Sequence, residues 1–380
     1  MLNNIHHVQA QSSTSPYHWN NLPEVQQPIF PRDTLDIRDF GAKGDGITLN
    51  TTNINDAIAA SNGNGGGVVF IPAGYWLSGP IELKSNVNLH LDDNAFLQFT
   101  ADFDQYKIVE GNYEGKPSAR NQSPISGRNL ENIAITGRGT IDGNGDAWRM
   151  AGKGALTERE WRDKVVSGGL ISDDGKTWFP SEKTKLAHEE KRSVLLTEGK
   201  TLADFEDIKD YLRPNLLVLT NCEKVLLEGV TFQNSPAWNL HPLMSQHITI
   251  RDVKIKNPDY AQNGDGIDIE SCSYVLVEDC ILDVGDDAIC IKSGKDEEGR
   301  KRGIATEKVI IRRNKVYLGR GGFVEGSEML TVETPRIRNV FIENIHCNDA
   351  KVGVFVRGLP EMPVQHIHMK NLNLTVNKGN

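Results

Sequence analysis

Three aspartates stand where a chain could do acid–base chemistry. Asn263-Gly264-Asp265-Gly266-Ile267-Asp268-Ile269 and Gly285-Asp286-Asp287-Ala288-Ile289-Cys290-Ile291-Lys292 are each an acidic turn that runs into alternating apolar residues, the mark of a strand. Asp265 and Asp286 lie 21 residues apart, close to one coil of a repeating β structure. Stacked coils would bring the three carboxylates side by side, with neighbouring backbones ~4.8 Å apart. Like charges that close repel, so at least one proton should be held above its ordinary range. One carboxylic acid to protonate a leaving oxygen, with others to activate water, is what hydrolysis of a glycosidic bond requires. A single Asp beside Gly is more often a turn residue bonding its own backbone. Three at this spacing, each ahead of a strand, point to function.

The elements that must position them recur along the chain. Apolar strand segments appear at Val68–Pro72, Val87–Leu91, Ile133–Ile135, Val225–Leu227, Ile248–Ile250, Val275–Val277, Val309–Ile311, Val340–Ile342 and Ile367–Met369. From Val225 onward the steps are 23, 27, 34, 31 and 27 residues. Short strands at this loose period, with polar turns at fixed phase, predict an all-β solenoid of parallel strands. Steps of variable length put loops on one face, where a cleft would form. Asn50 to Ser61 predicts one helix, capped by Thr51 or Thr52, with Ile54, Ala57 and Ile58 on its apolar face. Residues 1–35 read as an N-terminal extended arm and 36–380 as the solenoid domain. Residues 145–213 interrupt the repeat as a charged, helical excursion, with a capping box at Thr157-Glu158-Arg159-Glu160 and a second short helix over Thr201 to Tyr211. An independent core is not expected for so short a segment.

Composition narrows the function classes. A net charge of −9 over 380 residues argues against nucleic-acid binding. No apolar run is long enough to cross a membrane. Five cysteines, at 222, 272, 280, 290 and 347, show neither CxxC pairs nor metal spacing and read as buried thiols. Residues 285–320 nonetheless hold ten Lys or Arg against six Asp or Glu, a local basic lip suited to a polyanion. Lys292 and Arg300 to Arg302 belong to it. His241, one coil before Asp265, reads equally as lining a sugar subsite or as a satisfied structural histidine. Trp148 and Trp161 are weighed between packing and stacking on a sugar, with packing the more frequent use.

The ordered motifs Asn263-Gly264-Asp265, Gly285-Asp286-Asp287 and Gly319-Arg320-Gly321-Gly322 resemble the Asn-x-Asp, Gly-Asp-Asp and Gly-His-Gly signatures of the polygalacturonases, glycoside hydrolase family 28. Ser293-Gly294-Lys295-Asp296, Gly326-Ser327-Glu328-Met329, Asn234-Ser235-Pro236-Ala237-Trp238 and Asp39-Phe40-Gly41-Ala42-Lys43-Gly44-Asp45-Gly46 are similar to its bacterial exo-acting and rhamnogalacturonan-type branch. The resemblance covers roughly residues 36–330. It implies a right-handed, single-stranded parallel β-helix and inverting hydrolysis of α-1,4-galacturonosidic bonds, exo-acting by its branch. Carried over, Asp286 is the general acid, and Asp265 and Asp287 activate water. Asn263, Lys292, Arg320, Arg357 and His241 are the substrate-binding candidates. No metal or other cofactor is implied. The partner is an acidic polysaccharide, pectin or its oligogalacturonides, met by a monomer. Because polymeric pectin lies outside cells, a periplasmic or extracellular location is expected, although no intact signal peptide opens the chain.

Two departures set the alternatives. Arg320 replaces the signature's His, and a permanent charge beside the acid opposes proton donation; it is better suited to a substrate carboxylate. The coil bearing the family's Arg-Ile-Lys motif is expected to be missing after Met329. Arg336-Ile337-Arg338 matches by letters but precedes a strand, so Lys351 to Arg357 is the stand-in by phase, and the C-terminal end reads as shortened. The rival readings are a pectin-binding pseudoenzyme and a calcium-dependent pectate lyase on the same fold.

Overall fold

The apolar segments become one stack. Val225, Ile248, Val275, Val309, Val340 and Ile367 lie opposite one another in consecutive parallel pairings, so the uneven steps are loops between strands of constant register. The computed structural model describes residues 15–113, 116–294, 296–318, 336–350 and 363–376. They form a right-handed parallel β-helix, as the repeat and the resemblance predict.

Its coils share three ladders. One runs from Thr34–Asp36 through Gly67–Ile71, Val87–Leu91, Glu131–Gly137, Glu223–Glu228, Gln246–Arg251, Ser273–Glu278 and Thr306–Arg312 to Ile337–Ala350 and Gln365–Val376. A second runs from Asp45–Leu49 through Gly74–Ser78, Ala95–Phe99, Thr140–Asp142, Thr231–Gln233, Lys254–Lys256 and Ile281–Asp283 to Lys315–Leu318. The third, the cleft ladder, has six strands: Ile81–Glu82, Ile125–Arg128, Leu217–Thr220, Leu240–Leu243, Ile267–Glu270 and Ile289–Lys292.

Alternation along each strand turns Ile, Leu and Val into one apolar column inside the coil, where Val275, Val309 and Val340 are fully buried. Burial of such side chains stabilises by roughly 1.5–3 kcal/mol each. The corners repeat as regularly as the core. The residue just before the first ladder's apolar strand is left-handed at Asn86, Asn132, Lys224, His247, Tyr274, Lys308, Asn339 and His366. Asn tolerates this conformation; the other types bear a cost of about 1–2 kcal/mol that the stack must offset.

The helix forms as Thr51–Gly63 with Ile54, Ala57 and Ile58 buried. Asn50 holds the N-cap position, and Thr51 instead accepts a bond at Oγ1 from the Gly79 N–H at 2.6 Å. Residues 15–33 run back along the first ladder. Trp19 packs edge-on against Phe341 at 5.4 Å, and the Gln26 N–H donates to His247 Nδ1 at 3.1 Å.

The excursion carries both helix starts expected of it. Glu158–Val166 begins at a Thr157/Glu160 capping box, and the 3-10 segment Leu202–Tyr211 at one formed by Thr201 and Asp204. It also contains a helix Glu182–Glu189 and a small antiparallel sheet of Ala151–Gly152, Thr177–Phe179 and Leu170–Ile171. Its apolar cluster of Ala187, Phe205, Ile208 and Leu212 closes only by adding Ala119. Ala119 comes from an antiparallel hairpin of Ile108–Tyr113 and Lys116–Asn121 in an earlier coil, outside the repeat read from the sequence. All five cysteines are buried.

Candidate active site

The two acidic turns meet at the start of the last two described strands of the cleft ladder. Ile267 pairs with Ile289, Asp268 with Cys290, Ile269 with Ile291 and Glu270 with Lys292. The isoleucines point into the coil, so Asp268, Glu270, Cys290 and Lys292 share the outer face. Asp265 is held from both sides: its carbonyl accepts from the Asn239 N–H at 2.9 Å, and the next amide, Gly266, donates to the Asp287 carbonyl at 2.8 Å. The glycines of these motifs are steric requirements. A Cβ on Gly266 would lie 2.4 Å from the Ala288 carbonyl oxygen, and one on Gly285 2.3 Å from that of Pro258.

The expected cluster of carboxylates forms, with a fourth member. Asp265 is buried, its carboxyl pushed well above the usual range first by burial and then by Asp268, with Lys292 opposing and Asp286 and Asp287 adding. Asp287 is raised to about 6, again by burial first and then by Asp286. The raised carboxyls are thus those of Asp265 and Asp287. Asp286 is half-buried at the same turn.

Lys292 is tied to its own acids. Its ammonium lies 2.6 Å from Asp268 Oδ1, 3.8 Å from Asp265 Oδ2 and 3.8 Å from the centre of the Trp238 ring. It is an internal counter-charge, held protonated by these acids against the effect of burial. His241 lines the cleft floor but is almost wholly buried. The Asn215 amide meets its Nδ1 at 3.1 Å, leaving Nε2–H to donate to Glu270 at 2.9 Å. Glu270 also accepts from Arg302 at 2.6 Å. Burial would raise Glu270, but His241 and Arg302 outweigh it and leave it at about 2. Asn263 takes the left-handed corner before Asp265 and accepts at Oδ1 from Arg213 at 2.9 Å. Arg213 also donates to the carbonyls of Pro236 and Gln262, tying three turns together.

Arg320 and Arg357 lie outside the described residues, as do Gly319 to Met329 and Lys351. Arg338 pairs across the first ladder with Glu307, and the Arg336 carbonyl accepts from Ser293 Oγ at 2.9 Å, one residue beyond Lys292. Trp148 is a packing residue, buried edge-on against Phe103 and Tyr106. Trp161 is half-buried, with Lys153 over its ring.

A cleft of about 990 Å³ runs along the cleft ladder from Glu82 to His241. The hairpin and the helix Asp296–Arg302 contribute to its lining. Lys84, Lys116, Arg120, Arg128, Lys301 and Arg302 line it, against Glu82 and Glu110. The basic lip read from residues 285–320 therefore supplies only two of these cations. A smaller cavity of about 390 Å³ lies beside Asn263 and Trp238, walled by excursion residues Met150, Arg192 to Leu195 and Tyr211 to Arg213. Arg120 borders both.

Among the described residues, one group could bring ligand atoms together for a metal: Asp265, Asp268 and Cys290, within 4.8 Å of one another. Calcium takes six to eight oxygens. A thiol and a bonded ammionium-bearing Lys292 in their place do not fit it.

Asp268, Glu270 and Cys290 are the site residues that sequence reasoning missed. The alternation Ile267-Asp268-Ile269-Glu270 carried the signal, since period two puts both acids on the face opposite the isoleucines.

Comparison with known proteins adds family information. A family model described as glycosyl hydrolases family 28 matches residues 156–378, and one described as rhamnogalacturonase A/epimerase, pectate lyase-like, matches residues 34–184. A "Probable polygalacturonase" of Vitis vinifera is 30% identical, over 84% of this chain and 56% of its own length. An exo-poly-alpha-D-galacturonosidase of Dickeya chrysanthemi is 27% identical, over 86% of this chain and 52% of its own. The chain thus spans about half the length of these curated relatives. The crystal structure of a hyperthermoactive exopolygalacturonase from Thermotoga maritima superposes with a TM-score of 0.64 at 28% identity, covering 93% of this chain and 83% of that one.

Proposed function

The chain belongs to glycosyl hydrolase family 28, and from that premise we propose that it hydrolyses α-1,4-galacturonosidic bonds of pectin or its oligogalacturonides, exo-acting and with inversion. The observation that carries the reading is the carboxylate cluster on the ladder whose earlier strands floor a cation-lined cleft; the acids stand beyond that cleft's lining, and Asn263, just ahead of Asp265, borders the smaller cavity. A polyanion is drawn to such a cleft although the molecule as a whole repels it. In this reading Asp286 protonates the leaving oxygen, and the Asp265/Asp287 pair takes a proton from water. A base near pKa 6 is matched to that task, being ionised at neutral pH and still able to hold a proton. Inversion requires the acid and base carboxyls ~6.5–9.5 Å apart in the bound complex. Exo action draws support from the walls that the excursion and the hairpin raise beside Asn263 and Trp238. A polymeric substrate places the protein in the periplasm or outside the cell. The chain acts as a monomer in this proposal.

The test is reducing-sugar release from polygalacturonate by wild type and Asp286→Asn, with and without EDTA. Monomer as the sole early product, insensitive to EDTA and absent in the variant, is the expected result. Oligomers of mixed length would remove exo action, loss of activity with EDTA would favour lyase chemistry, and binding without release by folded protein would end the hydrolase reading.

A further inference from the structure

We propose that Cys290 is a positioning residue for the Asp265/Asp287 pair, its S–H bridging the two carboxylates and keeping Asp287 available as a base; this rests on the hydrolase reading for its effect on turnover. The sulfur lies 3.5 Å from Asp287 Oδ2 and 3.9 Å from Asp265 Oδ2, and it is buried. Its placement is dictated by the ladder. Cys290 stands opposite Asp268, between inward Ile289 and Ile291, so its side chain must emerge among the acids.

The thiol is a donor and not a nucleophile. Burial first, and then the surrounding acids, push it well above its ordinary range, with Lys292 alone among the named neighbours opposing. A thiol that stays protonated has one hydrogen to give, and carboxylate oxygens are the acceptors in reach. Donation to Asp287 favours its charged form, against the burial and the Asp286 charge that raise it. Among the described residues, the charged groups facing the sulfur are Asp265 and Asp268 from the neighbouring strand and its turn, with Asp286, Asp287 and Lys292 from its own. Alanine would remove both the donor and the spacer between two like charges. Serine would keep the donor on a shorter arm.

The test compares Cys290→Ala and Cys290→Ser with wild type in kcat/KM against pH. Alanine is expected to raise the acid-limb midpoint by about 0.5–1 unit, the worth of one ordinary hydrogen bond, the thiol being a weak donor even to a carboxylate. It should also lower kcat about five-fold with KM little changed, because the thiol bears on the base and not on the substrate. Serine should keep the wild-type midpoint. A packing role alone would cost both variants melting temperature and leave both midpoints in place, and that result overturns the proposal. A second readout needs no activity: the S–H infrared stretch, isolated as wild type minus Cys290→Ala, should shift as the pair titrates near pH 6. An S–H band that does not move with pH overturns the bridge even in an active enzyme. A moving band in a chain without polygalacturonase activity would leave the bridge standing and remove only the hydrolase reading.

Discussion

Replacing Asp268 by Asn should move the pH dependence of the reaction downward. Asp268 is fully buried, and its carboxylate lies within 4.8 Å of that of Asp265. Two such charges repel by about 3.5 kcal/mol at an effective dielectric of about 20, which corresponds to about 2.5 pH units. That figure is an upper bound, since burial is the larger cause of the raised Asp265 carboxyl and remains in the variant. A fall of about 1–2 units in the acid-limb midpoint of kcat/KM is therefore expected. Asn has nearly the shape of Asp and leaves Lys292 an acceptor at the Oδ1 position, while the ammonium keeps its place 3.8 Å from Asp265. The assay is initial-rate hydrolysis of a short oligogalacturonide across pH, with thermal melts to verify folding. A midpoint that stays put or rises in folded Asp268→Asn protein would refute the view that Asp268 is what holds the base pair's proton on.

Three further outcomes follow from the same geometry. Asp287 titrates near 3.8 when unfolded and at about 6 when folded, so the native state binds the extra proton between those values and stability falls as pH rises through that window. Asp287→Asn should abolish that slope and be more stable than wild type at pH 7 by up to about 3 kcal/mol, measured by urea unfolding, while losing turnover. Glu270→Ala should cost about 3–5 kcal/mol, because Arg302 loses a buried counter-charge and the His241 Nε2–H its acceptor; Glu270's own contribution, its pKa being depressed to about 2, is present above pH 4.5 and lost as pH falls towards 2. Arg213→Ala leaves the Pro236 and Gln262 carbonyls and Asn263 Oδ1 without that donor, for about 2–4 kcal/mol and roughly ten-fold in kcat; wild-type kinetics in the folded variant would contradict its role in holding the Asp265 turn.

Much of this was legible in the residues because the solenoid writes its register locally. The triplets at Val225, Ile248, Val275, Val309, Val340 and Ile367 pair as their spacing implied. A strand ends in a turn, and the turn's Asn, Gly and Asp are short-range signals. The hairpin over 108–121 was not legible: its register depends on the Ala119 side chain entering the cluster of Phe205 and Ile208, nearly ninety residues on. The cleft's cations were not legible either, as Lys84, Arg128 and Arg302 are gathered from three coils. Lys292 shows the limit within the motif itself. Its position beside the acids was readable, but whether it faced substrate or Asp268 depended on an acid one coil away.

The sequence by itself determined the β-helix, the phase of its coils and the neighbourhood of Asp265, Asp286 and Asp287, because period-two alternation and turn chemistry act over a few residues. Only the tertiary structure decided the charge state of the cluster and the shape of its cleft. Burial, the Asp268–Lys292 pair and the Cys290 thiol act through space, and the left-handed corners at Lys224, Tyr274 and Lys308 exist because neighbouring coils hold them there.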